Sequence, residues 1–340
     1  MDLKSLMATA AALVAGDRGI LAMDESTPTC DKRFAEHHIP ITLEYRQAYR
    51  EMIITTPGLG ECISGAILYD ETIRQSTRSG MPFVETLQLA NIIPGIKVDG
   101  GTKEHAGFPG EKITEGLDGL GTRLKEYYGM GARFAKWRAV ITIGNGLPTR
   151  GNIEAHAHTL ARYAGLCQEA GLVPIVEPEI LMDGAHDISS SFEVSREVWR
   201  VVFDQLLLQR VDLRGMLLKP GMVLPGKDCP NQSSVEAVAE ATVRCLLDTV
   251  PASVPGIVFL SGGQSNELAS ARLNAMNANY RGKHPWALAF SYARAIQAPA
   301  LAIWSGQEAK VEAAQKALYH RARCNKAARR GEYSSALEGI

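Results

Sequence analysis

The sequence predicts an α/β fold in which parallel strands alternate with helices. Short apolar runs recur along the 340 residues, and each is followed by a longer segment whose apolar residues have helical spacing. No G-x-G-x-x-G pattern follows the first run, which makes a doubly wound open sheet the weaker alternative. We therefore predict a single-domain (β/α)8 TIM barrel over residues 1–330, with residues 331–340 as a short, mobile tail.

Eight apolar runs are the candidate strands of this barrel. The third run contains Pro94 and Gly95, which weaken its first half, and the fourth is short. The runs span residues 19–23, 65–69, 92–98, 132–136, 173–177, 215–219, 257–261 and 286–290. Between them lie segments with helical spacing, such as 152–170 and 191–209. Before the first run, Leu3, Leu6 and Leu13 predict an amphipathic N-terminal helix rather than a signal peptide.

The composition predicts a globular protein of the cytoplasm. Charged residues make up 21% and hydrophobic residues 46% of the chain. The formal net charge of −1 gives no reason to expect binding to nucleic acid or to an anionic membrane. Six cysteines lack C-x-x-C spacing, so we expect reduced thiols. No stretch reaches the roughly 20 apolar residues of a membrane span.

Ionisable residues stand at the ends of several predicted strands, where barrel enzymes carry their reactive groups. One such residue alone is usually a solvated strand cap, but many of them meeting at one rim predict a site. Lys219 closes the sixth run, and a buried amine that loses hydration becomes a nucleophile. Lys136 would disfavour a second ammonium beside it. Glu177 and Glu179 would balance the positive charge and carry protons.

Two groups of residues at this rim suit phosphate binding. The Ser261-Gly262-Gly263 turn can offer backbone N–H groups to a phosphate, with Arg294 as a bidentate partner. Across the mouth, a second anion site is predicted from Ser26, Lys32, Arg33 and Lys97. Two anion sites around one amine suggest a substrate that carries a phosphate at each end.

In their order along the chain, these residues lie in segments that resemble class I fructose-bisphosphate aldolase. The similarity covers nearly the whole chain. The segments are Leu21-Ala-Met-Asp-Glu-Ser-Thr27, Gly95-Ile-Lys-Val-Asp99, Phe134-Ala-Lys-Trp-Arg138, Val176-Glu-Pro-Glu-Ile-Leu181, Leu217-Leu-Lys-Pro220, Phe259-Leu-Ser-Gly-Gly-Gln-Ser265 and Phe290-Ser-Tyr292. The resemblance implies a (β/α)8 lyase of glycolysis and gluconeogenesis that needs no metal and no cofactor. It also implies a sugar-phosphate substrate and a homotetramer.

The resemblance also implies a role for each site residue. Lys219 would form a Schiff base with the substrate ketone, and Glu177 would be the acid/base residue. Asp24 would handle the proton of the cleaved carbinol, and Lys136 would control charge beside the Schiff base. We expect Glu179 to assist proton transfer. The expected substrate- and phosphate-binding residues are Ser26, Lys32, Arg33, Lys97, Arg138, Ser261, Gly262, Gly263, Ser291 and Arg294.

Three alternatives remain open at this point. A metal-dependent aldolase would need ligands such as the His156/His158 or His37/His38 pairs, whose spacing places them on different faces of a helix. A phosphate-binding scaffold without covalent chemistry, or another imine-forming barrel aldolase, would use the same pocket differently. Many relatives end in a long tail whose final Tyr assists proton transfer. Tyr333 matches only the start of that tail, which leaves the preference between bisphosphate and monophosphate undecided.

Overall fold

The computed structural model describes residues 2–339 and confirms the predicted barrel, because eight parallel strands close on themselves. Around the barrel the order is β1, β2, β3, β6, β7, β8, β9 and β10, and β10 pairs with β1. A small antiparallel pair, β4–β5, lies outside it. The strands are β1 Gly19–Ala22, β2 Ile63–Leu68, β3 Ile93–Lys97, β4 Thr102–Glu104, β5 Lys112–Thr114, β6 Phe134–Ile141, β7 Val173–Ile180, β8 Leu217–Leu218, β9 Gly256–Phe259 and β10 Ala287–Tyr292.

Helices surround the barrel and connect its strands. The three helices predicted from spacing, at the N-terminus and over residues 152–170 and 191–209, are present as α1, α7 and α8. The helices are α1 Leu3–Leu13, α2 Thr27–Glu36, α3 Leu43–Ile54, α4 Asp70–Ile73, α5 Phe83–Leu89, α6 Leu120–Gly129, α7 Arg150–Glu169, α8 Ile188–Leu208, α9 Val235–Thr249, α10 Asn266–Asn279, α11 Arg294–Trp304 and α12 Val311–Arg330. None of the helices within residues 2–339 has the length and apolar character needed to cross a membrane.

Two strands are three residues longer than the sequence predicted. β6 continues past Lys136 to Ile141, β7 continues past Glu177 to Ile180, and the two pair over their full length. The apolar-run criterion ended both strands at their first charged residue. That criterion was wrong here because the charged side chains alternate with apolar ones, and alternate residues of a strand face opposite sides. In contrast, β8 covers only Leu217–Leu218, and Leu213–Gly215 before it form a 3₁₀ turn.

Helix α1 closes the amino-terminal end of the barrel. Asp2 caps the helix by accepting hydrogen bonds from the backbone N–H groups of Lys4 and Ser5. The apolar face of α1, with Leu6 and Leu13 at its centre, packs with barrel residues into one buried cluster. The barrel residues of this cluster are Ile20, Ala22, Ile67, Phe134, Val173, Ile175, Leu217, Val258 and Ala289. The amino-terminal half of the barrel, called its lower half below, is therefore a packed apolar core.

The ring of Phe134 explains the glycine in β3. A Cβ atom on Gly95 would lie 2.2 Å from that ring, and one on Gly65 would lie 3.1 Å from it. Only a residue without a side chain fits beside the ring at Gly95. Gly95, which weakens the strand pattern in the sequence, is thus a packing requirement of the barrel interior.

The chain after α12 packs against the barrel helices. Gly331 ends α12 in the left-handed conformation, with φ of 71°, and Ser335–Glu338 form a 3₁₀ turn. The Tyr333 backbone N–H donates to Asn274 Oδ1 at 2.8 Å, and its hydroxyl donates to Glu338 Oε1 at 2.7 Å. The mobility expected for residues 331–340 stays a prediction, and Ile340 lies outside the described residues.

Candidate active site

One cavity of about 590 Å³ opens at the carboxyl ends of the strands. With the exception of Gly263, every residue predicted for the site lines it. These lining residues are Asp24, Ser26, Lys32, Arg33, Lys97, Lys136, Arg138, Glu177, Glu179, Lys219, Ser261, Gly262, Ser291 and Arg294. The barrel thus brings together side chains that are up to 270 positions apart in the chain, from Asp24 to Arg294.

Four buried charged side chains form a connected cluster at the floor of this cavity. Lys219 Nζ lies 3.1 Å from Glu177 Oε1, and Lys136 Nζ lies 3.3 Å from Glu177 Oε2. Lys136 Nζ also pairs with Asp24 Oδ2 at 2.7 Å. Lys136, Glu177 and Lys219 are each 3% exposed and Asp24 is 9% exposed, so solvent screens these contacts weakly. Two amines and two carboxylates therefore share one buried, charge-balanced site.

The electrostatics of the cluster distinguish Lys136 from an ordinary buried lysine. Burial acts to lower the pKa of Lys136, but Asp24 and then Glu177 outweigh it and raise that pKa above its usual range. Burial acts to raise the pKa of Asp24, but Lys136 and then Lys219 bring it well below its usual range. Before substrate binds, Lys136 is accordingly an ammonium and Asp24 a carboxylate.

Strand alternation aims these side chains. On β6, Lys136 and Arg138 face the cavity, while Trp137 between them is fully buried in the core on the other side. On β7, Glu177 and Glu179 face the cavity in the same way. The guanidinium of Arg138 pairs with the carboxylate of Glu179, next to the Lys136–Glu177 contact. Parallel pairing of β6 and β7 therefore sets two ion pairs side by side.

One side of the mouth carries hydrogen-bond donors that have no partner among the described residues. Gly262 and Gly263 adopt φ of 59° and 91°, and within residues 2–339 their N–H groups donate to no protein acceptor. Arg294, the first residue of α11, reaches this turn: its guanidinium lies 3.5 Å from where a Cβ of Gly263 would be. Ser291 is 1% exposed, and its hydroxyl has no partner among the described residues. Unsatisfied donors surrounding one space suit a phosphate.

Basic residues on the other side are held by carboxylates. Arg33 pairs with Glu25 at 2.5 Å, and the buried Arg50 pairs with the second oxygen of Glu25 at 2.6 Å. Lys97 pairs with Asp99 at 2.6 Å. Lys32 is exposed at the rim without an ion pair among residues 2–339. The cations of the predicted second anion site thus line the same cavity, and carboxylates partly neutralise Arg33 and Lys97.

Sequence reasoning missed several residues that shape this site. Arg50 on α3 orients Glu25, and Asp99 fixes Lys97, yet neither spacing nor strand position identifies such a partner in advance. Lys227 was also missed: its Nζ lies 3.7 Å from the Cβ position of Gly263 and pairs with Asp183 at 3.0 Å. A lysine directly after Pro225-Gly226, in the loop that follows β8 and Lys219, was the available clue.

The histidines weighed as metal ligands lie outside the cavity. His156 is buried in α7 with Nε2 2.8 Å from the Lys112 carbonyl oxygen, and His158 contacts Gln205. His37 and His38 follow the end of α2. The structure therefore does not bring the proposed pairs together at the barrel mouth.

Comparisons with known proteins agree with this geometry. The family model "Fructose-bisphosphate aldolase class-I" matches residues 5–339. The chain is 54% identical to "Probable fructose-bisphosphate aldolase class 1" of Xanthomonas axonopodis pv. citri, over 98% of this chain and 99% of that protein. It is 52% identical to "Fructose-bisphosphate aldolase 4, cytosolic" of Arabidopsis thaliana, over 96% of this chain and 83% of that protein.

A solved structure shows the same fold. The Plasmodium falciparum fructose-bisphosphate aldolase, crystallised with TRAP and a small-molecule inhibitor, superposes with a TM-score of 0.96. It is 49% identical in sequence, and the match covers 98% of this chain and 96% of that one. The buried lysine–carboxylate cluster, the barrel and these matches lead to one conclusion: the chain belongs to the class I fructose-bisphosphate aldolase family.

Proposed function

We propose that Lys219 is the nucleophile of a class I fructose-bisphosphate aldolase and that it attacks the substrate ketone. The observation that carries this assignment is the 3.1 Å contact between Lys219 Nζ and Glu177 Oε1 in a buried site. Glu177 can take the amine's proton and later protonate the carbinolamine hydroxyl, which leaves as water. The product is a protonated imine on Lys219, an electron sink that the free ketone lacks.

Lys136 and Asp24 are suited to the bond-breaking step. The C4 hydroxyl of the sugar gives its proton to a carboxylate, for which we propose Asp24, while the electron pair of the C3–C4 bond flows into the imine. Asp24 is a weak base at rest because Lys136 lowers its pKa, so the imine must supply the driving force. Lys136 keeps its charge throughout and balances the carboxylates. Glyceraldehyde 3-phosphate leaves first.

The remaining enamine must then regain a proton at C3 and be hydrolysed to release dihydroxyacetone phosphate. Glu177 lies beside the nitrogen of Lys219 and can activate the water for hydrolysis. Glu179 is held in place by its ion pair with Arg138. It lies two residues after Glu177 on the same strand and is the second candidate for acid/base chemistry. The proton that Asp24 took from the C4 hydroxyl balances the proton that C3 gains, so Lys219, Glu177 and Asp24 all return to their starting protonation states.

Two phosphates fit across the mouth. We assign the ketone-side phosphate to the Ser261–Gly263 turn, Ser291 and Arg294, with Lys227 as a further cation beside Gly263. We assign the other phosphate to Ser26, Lys32, Arg33 and Lys97. This layout favours fructose 1,6-bisphosphate over a monophosphate, since only the bisphosphate occupies both ends. A one-phosphate imine-forming aldolase would leave the second group of cations unused.

The same family relationship supports proposals about assembly and location. We propose a homotetramer, and the exposed Leu207, Leu208 and Leu247 on α8 and α9 offer apolar surface for subunit contact. We propose a cytoplasmic enzyme of glycolysis and gluconeogenesis, in line with relatives named cytosolic. The proposed chemistry uses protein side chains alone and calls for neither a metal nor a cofactor.

Replacement of Lys219 by Arg tests the nucleophile. A guanidinium cannot form the imine, so Lys219→Arg should abolish cleavage of fructose 1,6-bisphosphate while phosphate binding persists. The matched control is Lys125→Arg, which makes the same change on the exposed surface of α6 and should cleave normally. Normal turnover by Lys219→Arg would overturn the assignment of Lys219 as the nucleophile.

A further inference from the structure

A second group of potential ligand side chains lies where α12 meets the C-terminal 3₁₀ turn. His320 and Cys324 are one helical turn apart on α12, and Glu338 belongs to the turn Ser335–Glu338. One ligand atom from each residue lies within 4.8 Å of the other two. Throughout residues 2–339 no other set of three His, Cys, Asp or Glu side chains is arranged in this way.

The distances within this group are close to those of a tetrahedral metal site. Cys324 Sγ lies 3.7 Å from His320 Nε2, and His320 Nε2 lies 3.9 Å from Glu338 Oε2. Tetrahedral Zn²⁺, with bonds of about 2.3 Å to sulfur and about 2.0 Å to nitrogen or oxygen, separates neighbouring ligand atoms by roughly 3.3–3.6 Å. For these two pairs of ligand atoms, shifts of a few tenths of an ångström in flexible side chains would complete the geometry, and the third pair, Cys324 with Glu338, lies within 4.8 Å.

The surroundings leave a path for an ion and support one ligand. His320 and Cys324 line a cavity of about 370 Å³, which offers room for a water molecule as the fourth ligand. The His320 side chain is 23% exposed, so an ion can reach it from solvent. Glu338 Oε1 accepts a hydrogen bond from the Tyr333 hydroxyl at 2.7 Å. Such outer contacts hold a ligating carboxylate in place.

One existing contact opposes metal binding. The guanidinium of Arg321 pairs with both oxygens of Glu338. An ion must replace its contact with Oε2, while the contacts of Arg321 and Tyr333 with Oε1 remain. Imidazole nitrogen and thiolate sulfur are the ligands that Zn²⁺ prefers. Binding to His320 and Cys324 on α12 therefore offsets the free-energy cost of displacing Arg321 from Glu338 Oε2.

We propose that His320, Cys324 and Glu338 form a Zn²⁺ site that fastens the C-terminal segment to α12. On binding, the Cys324 thiol releases its proton to solvent and a sulfur–zinc bond forms. Glu338 Oε2 exchanges its ion pair with Arg321 for the metal, and no electron transfer is involved. None of these three residues lines the cavity at the barrel mouth. The ion is therefore structural and stands apart from carbon–carbon bond cleavage.

Metal titration of the full-length protein tests this site. The chain is first treated with chelator, then titrated with Zn²⁺, and bound metal is measured after gel filtration. Co²⁺ serves as the spectroscopic probe, because a thiolate–cobalt charge-transfer band reports sulfur ligation. Cys324→Ala removes the proposed ligand, and Cys62→Ala is the matched control because Cys62 lines the same cavity outside the ligand set.

We expect one Zn²⁺ per chain and a thiolate–cobalt band in the wild type and in Cys62→Ala, and loss of both in Cys324→Ala. Zn²⁺ should raise the unfolding temperature only of the proteins that bind it. Removing Zn²⁺ with chelator should leave the rate of aldol cleavage unchanged. If Cys324→Ala does not fold, His320→Gln at the partly exposed ligand serves instead. Absence of stoichiometric binding, or binding that survives the loss of Cys324 or His320, would overturn the proposal.

Discussion

The two ends of the barrel are made by the same strands and differ completely in chemistry. On β7, the inward positions read Val173, Ile175, Glu177 and Glu179, so two apolar residues are followed by two carboxylates. On β6, Phe134 is followed at the same spacing by Lys136 and Arg138. The lower half packs against α1, and the upper half lines the cavity. The change occurs within two residues along each strand.

This comparison separates stability from function. A side chain in the lower half belongs to a buried apolar cluster, so its substitution should affect the free energy of unfolding. A side chain in the upper half contacts charged neighbours and the substrate space, so its substitution should affect catalysis. The effects expected at the upper end are the larger ones, because general acid–base transfer and buried charge pairs carry more free energy than one methyl group.

The largest of these effects is expected at Glu177. Glu177→Gln removes the proton carrier beside Lys219 while keeping the shape of the side chain, so kcat should fall by about 10²–10⁴-fold. Steady-state cleavage of fructose 1,6-bisphosphate measures it. Ile175→Val, two residues earlier on the same strand, is the control: it should lower the free energy of unfolding by about 0.5–1.5 kcal/mol and leave kcat unchanged. A large loss of kcat in Ile175→Val would show that the lower end also controls catalysis, and not stability alone.

Next in size is the effect expected at Arg294, which separates phosphate binding from proton transfer at the upper end. Arg294→Ala should raise KM by about ten- to a hundredfold, since a charge-assisted contact contributes roughly 1.5–3 kcal/mol. Lys227→Ala at the same turn should act in the same direction but less, because Lys227 is half exposed and already paired with Asp183. A fall in kcat with unchanged KM for Arg294→Ala would contradict the assignment of this turn to a phosphate.

A smaller change, and one confined to stability, is expected from Gly95→Ala at the lower end. The added methyl group would meet the Phe134 ring, so the free energy of unfolding should fall by about 1–3 kcal/mol. Phe134→Leu in the same chain makes room and should recover part of the loss. Chemical denaturation of the single and double variants provides the measurement. Equal stability of Gly95→Ala and the wild type would show that the ring is not tightly packed.

The sequence predicted the barrel and the set of residues at its mouth, because apolar runs and strand-end chemistry are local patterns. The predicted strand ends were wrong where charged site residues interrupt an apolar run. Charged residues inside β6 and β7 ended the predicted strands too early, although their alternation with Trp137 and Val176 was the correct strand pattern. The resemblance to a known family supplied the roles that spacing alone could not.

The partners of the active residues could not be predicted from local sequence. Arg50 reaches Glu25 from another helix, and Lys227 reaches the Gly263 turn from a different loop. Such contacts depend on tertiary packing and produce no periodic pattern in the sequence. The same holds for Glu338, which lies near His320 and Cys324 only because the chain turns back after α12.

The central claim is that Lys219, and no other lysine at the mouth, forms the imine. Borohydride reduction in the presence of dihydroxyacetone phosphate, followed by peptide mass spectrometry, tests it most directly. The account predicts one reduced substrate adduct per chain, on the peptide that contains Leu218-Lys219-Pro220. Lys136 contacts the same carboxylate, that of Glu177, as Lys219 does. It is the internal control, because its ion pair with Asp24 keeps it protonated. An adduct on Lys136 or Lys97, or no adduct at all, would contradict the account.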